Sequence, residues 1–337
     1  MRMFTHFQAN FSGGRKLLSL SLLALAAGAG RAQEPPRAAP GNSASVDAAK
    51  GQVTIMLNGT LFTQLKYSGF AKPILYPVMT EGGLNLVRRW PVESAGPGEE
   101  QDHPHHKGIW FTHGDVNGVD FWKEAPDAGR ILVEGIPTVE NQNDTVSVTT
   151  NENWMAPGDK KICDSKTVIR CGTEGHDRWL DYTITINADA GEVVFGDTKE
   201  GTMGLRSHPA LNLKGEVAKG RAVNSEGEKN AALWGRPAKW VDYSAPVDGK
   251  MAGIACFDHP SNLRHPTTWH ARDYGLIAAN PFGLHDFTKQ PKGAGNHTIK
   301  AGQSLTLRYR WLFHAGDSTE AKIEQRWAAW AAAPVAR

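Results

Sequence analysis

Cysteine is scarce in this 337-residue chain, and its three copies, Cys163, Cys171 and Cys256, cannot all pair with one another. The first two lie in an extended stretch at a separation of roughly 26 Å, taking about 3.3 Å per residue, which is beyond the reach of a disulfide. A disulfide scaffold is therefore excluded as the main support. An excess of charge of one sign is lacking too. The sequence carries 37 basic and 35 acidic residues for a net +2, and the basic ones are scattered. The electrostatic footprint that a nucleic-acid partner requires is missing. No apolar run approaches the roughly 20 residues of a membrane-spanning helix, and convincing helical periodicity is absent until the C-terminal stretch.

The chain opens with Arg2, Arg15 and Lys16 ahead of an apolar run from Leu17 to Ala27 and the small-residue stretch Gly30-Arg31-Ala32. That order is the signature of a secretory signal. Residues 1–32 are expected to be a signal peptide and 33–50 a flexible leader, because the Pro-rich run that follows cannot bury enough apolar area to offset the entropy of ordering it. The location implied is periplasmic or secreted, with no membrane span in the mature chain. Beyond the leader, Val53–Leu57 and Thr60–Phe62 flank Asn58-Gly59, the dipeptide best suited to a type I′ hairpin turn. In Leu180–Ile186 bulky apolar residues occupy every second position, the period of a strand with one buried face. Gly and Pro clusters separate nearly all such runs. The pattern predicts an all-β domain over 51–316, a large antiparallel β-sandwich. A short helix within 317–337, capped by Ser318, closes the chain.

The densest chemistry lies between Asp102 and Trp122. His103, His105, His106 and His113 accompany Asp102, Asp115 and Asp120, with Trp110, Phe111 and Trp122 among them. Three readings fit. His and carboxylate are common ligands of divalent metals, and the spacing permits a metal without specifying one, since no HExxH-type helix is present. Alternatively, imidazoles and carboxylates hydrogen-bond sugar hydroxyls while an indole lies against the apolar face of the ring. In the third reading these residues simply pack and cap a turn-rich loop. A second cluster contains His259, Asn262, Arg264, His265, Trp269, His270 and Arg272, followed by Asn280 and His285. It is too Pro-rich for regular structure and is expected to be a loop at the mouth of the sheets. The third, Asp197 to His208, offers Glu200 as a general base and Arg206 as an anchor for an anionic group or a carboxylate. An ordinary surface pair accounts for Glu200 and Arg206 equally well.

The segments DHPHHKGIWFTHGDVNGVDFW, DTKEGTMGLR, DHPSNLRHPTTWHARDYGL, NPFG and LRYRWLFHAG resemble the PmoA-like family of exported bacterial proteins of unknown function, over roughly 51–316. That family borrows its name from an integral membrane subunit of methane monooxygenase. With no run of spanning length here, methane oxidation is not expected. A second resemblance is to the galactose-mutarotase superfamily. His113-Gly114-Asp115 through Trp122 is similar to its early histidine segment, and His208 to Leu213 to its second. The resemblance implies a supersandwich with a sugar cleft on a curved sheet. It also implies a histidine as general acid at the ring oxygen and a late glutamate as general base. The stretch Gly275 to Asn280, where that glutamate belongs, carries no carboxylate.

The reading is an exported carbohydrate-active protein, an enzyme of hydrolase, lyase or isomerase type. His105, His106 and His113 are its expected catalytic imidazoles, with Asp115 or Glu200 as the carboxylate. Trp110, Asp120, Trp122, Arg206, His208, His259, Asn262, Arg264, His270, Arg272, Asn280 and His285 are expected to hold a carbohydrate or other small ligand. No cofactor is required, although a divalent metal is compatible with the histidines. The alternatives are a lectin-like binding module and a metal-dependent hydrolase. The first reading requires the stretches around His106 and His270 to meet in one hollow.

Overall fold

The computed structural model describes residues 41–142 and 144–334, together with Asn10. Apart from Asn10, the expected signal peptide and the first part of the leader lie outside the described residues. The rest of the chain is built on two large antiparallel sheets. One runs Ser43–Asp47, Gln52–Leu57, Thr60–Lys66, Ile74–Val78, Ile109–His113, Gly201–Arg206, Leu276–Ala279 and Trp269–Ala271 in spatial order. The other runs Arg221–Asn224, Trp240–Val247, Lys250–Asp258, Ser304–Ala315, Asp177–Asn187, Lys160–Glu174, Thr145–Ala156 and Arg130–Val133. Thr138–Asn141 adds a branch to Thr145–Ala156, and Val193–Phe195 pairs with His297–Ile299.

Alternation explains the long strands. Asp177–Asn187 buries every second residue, so Leu180, Tyr182, Ile184 and Ile186 meet the opposite sheet. Rings bridge the two layers. Phe62 lies 5.7 Å from Phe313, and Phe111 lies 6.2 Å from Tyr182 and 6.3 Å from Trp154. Asn58 and Gly59 both take positive φ, at 49° and 69°, as the expected hairpin turn demands. All three cysteines are free and buried.

Two boundaries differ from expectation. Ser43–Asp47, assigned to the flexible leader, is an edge strand paired with Gln52–Leu57. Ala44 is buried there, and its N–H donates to Asn141 Oδ1 at 2.7 Å, a contact 97 residues away in sequence that local composition cannot reveal. The C-terminal helix runs Ile323–Ala332 with Lys322 at its N-cap. Ser318 does not cap it through its side chain; its carbonyl instead accepts from Ile323 N at 3.1 Å. Ile323 is buried beside Trp240, Phe257 and Leu312, which fixes the helix to the second sheet. Among the described residues no helix is long and apolar enough to cross a membrane.

Candidate functional site

The site grows from one row of the first sheet. Its register aligns Trp110 with Gly204, Gly204 with Ala278, and Ala278 with His270. Their neighbours Phe111, Met203, Ala279 and Trp269 form the next row, and Phe111 points at the second sheet. Because successive side chains point to opposite faces, Trp110 and His270 project from the outer face. The indole of Trp110 lies over Gly204, where a Cβ would sit 2.8 Å from the ring. Glycine is required at that position for the close approach.

Above this row the loop of His103, His105 and His106 is held by a buried arginine. Arg88 Nη1 donates to the carbonyls of Glu100 and Asp102 and to Asp102 Oδ1, the last at 2.6 Å. Its Nη2 donates to the carbonyls of His103 and His106. Arg206 Nη2 reaches the same Asp102 oxygen at 2.7 Å. Burial alone would raise the Asp102 carboxyl, but His103 and Arg206 outweigh it and hold it below the usual carboxylate range. The loop re-enters the sheet at Gly108, whose φ of 57° would place a Cβ 2.1 Å from the Leu75 carbonyl oxygen.

A cleft of about 430 Å³ opens between this loop and three others. His103, His105 and His106 form one wall, with Trp122 and Lys123 beside them. Lys199 and Glu200 contribute from the turn before Gly201–Arg206, and His270, Arg272 and Tyr274 close the far side. Tyr274, His103, His106 and Trp110 have nearly parallel ring planes, with centroids 5.2, 4.8 and 5.2 Å apart in succession. Trp122 meets His106 and Trp110 edge-on at 5.4 and 5.5 Å. The turn bearing Glu200 is pinned by Asn280 Nδ2 to the Thr198 carbonyl and by Asp286 to Lys199 N.

Partners fix the protonation of two histidines. Arg206 Nη1 can only donate, so His106 Nδ1 accepts at 3.3 Å and Nε2 carries the hydrogen. Conversely, His270 Nδ1 lies 2.9 Å from the Lys199 carbonyl and must donate, which leaves Nε2 as a lone-pair acceptor. Both Nε2 atoms are buried without a hydrogen-bond partner among the described residues. Burial, reinforced by neighbouring Arg272 and Lys199, lowers His270 to about 3. Burial, with His105 and Arg206 nearby, puts His106 well below its usual value. His105 falls to about 4 through burial and the Lys72 charge. All three imidazoles are neutral near pH 7.

The stretches around His106 and His270 therefore meet in one hollow, and His105, His106, Trp122, Glu200, His270 and Arg272 all line it. The other expected site residues take different places. His113, expected to be catalytic, is fully buried behind the row, where Nε2 bonds to the Gly196 carbonyl at 2.7 Å and Phe282 packs edge-on at 5.0 Å. Asp115, its expected partner, accepts from Gly118 N in a turn, and Asp120 accepts from Trp122 N and Lys123 N. Trp110 and Arg206 support the cleft from beneath. His208 caps a short 3₁₀ turn and borders a separate cleft with His176 and His314. His259 pairs with Ser261, and Asn262 bridges Asp258 to the backbone of Arg308. Arg264 donates to the carbonyls of Pro281, Gly295 and Asn296, and Asn280 secures the Thr198 turn. His285 is exposed, with Nδ1 on the Gln290 carbonyl. Polar side chains in Pro-rich loops are consumed by backbone groups that no ladder satisfies, which separates these residues from the cleft.

Sequence reasoning missed Lys123, Lys199 and Tyr274 as lining residues, and weighed His103 only as a metal ligand. Adjacency to Trp122, Glu200 and Arg272 was the signal available. It also left Arg88 out of account, since a lone arginine before a loop carries no local mark. As to metal, among the described residues no three His, Cys, Asp or Glu side chains gather in a way that would hold an ion.

A family model matches residues 52–328, nearly the whole of the two-sheet body. The chain belongs to DUF6807, a family of unknown function. The PmoA-like likeness remains a resemblance of motifs. No curated protein matches this DUF6807 chain at a significant level. Similar solved structures include an α-galactosidase from Lactobacillus brevis, at 7% identity and a TM-score of 0.40, covering 83% of this chain. This chain spans only 40% of that galactosidase. A galactose 1-epimerase from Lactobacillus acidophilus shows 9% identity and a TM-score of 0.37, over 79% of this chain and 94% of that one. A galactose mutarotase-like protein from Lactobacillus casei shows 10% and 0.36, over 81% and 100%. Likeness this remote says nothing of what the DUF6807 cleft binds.

Proposed function

We propose that the cleft binds a carbohydrate and that Glu200 acts there as the general base of a proton-transfer reaction, in a protein exported to the periplasm or beyond. The observation that carries this reading is the complementary pair of neutral imidazoles. His106 offers a buried N–H and His270 a buried lone pair, neither satisfied among the described residues. Leaving such a group unpaired costs about 1–3 kcal/mol each, so the arrangement suits a ligand whose groups donate and accept together. Sugar hydroxyls do both. The partly exposed ring of Tyr274 beside them suits the apolar face of a pyranose ring.

Glu200 is the one carboxylate among the residues lining the cleft. Glycoside hydrolysis ordinarily uses two carboxylates flanking the scissile bond, so isomerase or lyase chemistry fits better than hydrolysis. In that reading Glu200 takes a proton from the sugar while the N–H of His106 stabilises the oxygen on which charge develops. A lectin-like role has one observation in its favour: Glu200 is ion-paired with Lys199 Nζ at 2.7 Å, which occupies the carboxylate. The two separate when the full chain is incubated with a panel of oligosaccharides and the mixtures are followed by NMR. Turnover of at least one sugar, lost in Glu200→Gln with binding retained, is the expected result. Sugars bound but returned unchanged would leave a lectin, and no sugar bound at all would remove the carbohydrate reading.

A further inference from the structure

Four arginines surround the cleft or the loops that frame it, and three of them are spent. Arg88 is saturated by loop carbonyls and Asp102. Arg206 is paired with Asp102 at 2.7 Å, and Arg264 donates to backbone carbonyls. Arg272 differs. Among the described residues its guanidinium has no carboxylate within ion-pair distance and makes no side-chain hydrogen bond, although it lines the cleft and is half-buried. Its charge sits 5.3 Å from the centre of the Tyr274 ring, which itself packs against Arg206 at 4.6 Å. The backbone beneath is fixed as well, since Arg272 N donates to Leu276 O at 2.8 Å and Arg272 O accepts from Gly275 N and Tyr243 Oη.

The other charges of the cleft do not offset it. Lys199 neutralises Glu200 at 2.7 Å, and Lys123 faces Asp120 at 3.2 Å on the exposed rim. Three cations thus line the cleft against a single carboxylate, which is already paired. A planar guanidinium placed beside a ring and left without an acceptor suits a bidentate anionic oxo-group, which a lone hydroxyl cannot match.

Resting on the carbohydrate reading above, we infer that the ligand is an anionic sugar, and that Arg272 binds its charged substituent, a uronate carboxylate or a sulfate ester. The neutral imidazoles of His106 and His270 then address the hydroxyls, and Arg272 sets the specificity for charge.

Titration calorimetry of the full chain with three matched sets tests this: oligo-uronates, sulfated oligosaccharides and their neutral counterparts. One anionic set should bind at least tenfold tighter than the neutral set, with an affinity that falls as salt is raised while the neutral affinity does not. Which anionic set binds distinguishes carboxylate from sulfate. In Arg272→Gln the preference for the anionic set should disappear. Neutral sugars binding as tightly as anionic ones would overturn the inference and leave the carbohydrate reading standing, whereas no binding by any set would remove both. Should Arg272→Gln fail to fold, Arg272→Lys, which keeps the charge but loses the bidentate fork, should lower the anionic preference at least severalfold, and an unchanged preference would overturn the assignment to Arg272.

Discussion

Two regions of this molecule bury histidine, and they treat it in opposite ways. At the cleft, His106 and His270 are neutral and each keeps one ring nitrogen without a partner among the described residues. On the second sheet, His314 is equally buried, yet Nε2 meets Asp242 Oδ2 at 2.7 Å and Nδ1 meets the Ala315 carbonyl at 3.1 Å. Burial there opposes the charge, but Asp242 outweighs it and raises the imidazole above its usual value. Glu152, also on the second sheet, accepts from Thr150 and from Ser165 Oγ, which in turn accepts from Trp154 Nε1. Burial by itself therefore marks nothing. A buried group whose partners are complete belongs to the architecture, and one left half-satisfied at the wall of a cleft is where the proposed ligand would bond.

The comparison can be broken first at the support of the cleft. Arg88→Ala should cost about 3–5 kcal/mol in urea denaturation, because it leaves four loop carbonyls without their donor and strips Asp102 of one of its two arginines. Glycan binding should fail with it. A loss under about 1 kcal/mol would mean that the loop holds itself.

Glu152 provides the next largest effect, and one with a sign. Burial raises its carboxyl from 4.5 to about 7, against the hydrogen bonds from Thr150 and Ser165. The folded state thus keeps a proton that the unfolded chain releases. Stability from this group is full below about pH 4.5 and is lost as pH rises through about 7. Glu152→Gln should accordingly stabilise the protein by up to about 3 kcal/mol above neutral pH and by little in acid, measured as melting temperature against pH. Equal shifts at both ends would remove the buried-proton account.

Asp242→Asn tests the partner of the fully bonded His314 and should cost about 1–3 kcal/mol. Because the His314 pKa is raised, the pair's contribution is present below the imidazole's usual 6.5 and fades as pH climbs through the elevated value. The gap between variant and parent should therefore narrow in alkaline melts, and a constant gap would argue that His314 carries no charge.

The smallest change in stability is expected at the cleft itself. His106→Gln exchanges one neutral donor for another, so unfolding should shift by less than about 1 kcal/mol. Affinity for the best-bound glycan should nevertheless drop about tenfold, equivalent to about 1.4 kcal/mol. Unchanged affinity would return His106 to the class of packing residues, alongside His113.

What the sequence determined alone was whatever depends on near neighbours. Asn58-Gly59 dictates a hairpin because both residues tolerate positive φ, and the alternation of Leu180 to Ile186 dictates a strand with one buried face. The concentration of imidazole and indole between Asp102 and Trp122 likewise announced a site from composition. Only the tertiary structure decided which of those groups reach it. His105 and His106 line the cleft while His113, a few residues on, lies in the core. That division follows from the register placing Trp110, Gly204, Ala278 and His270 in one row, and from Arg88 drawing the His103 loop over it. Antiparallel pairing joins segments far apart in the chain, and a one-residue slip would send each of these side chains to the opposite face, so no local pattern encodes it.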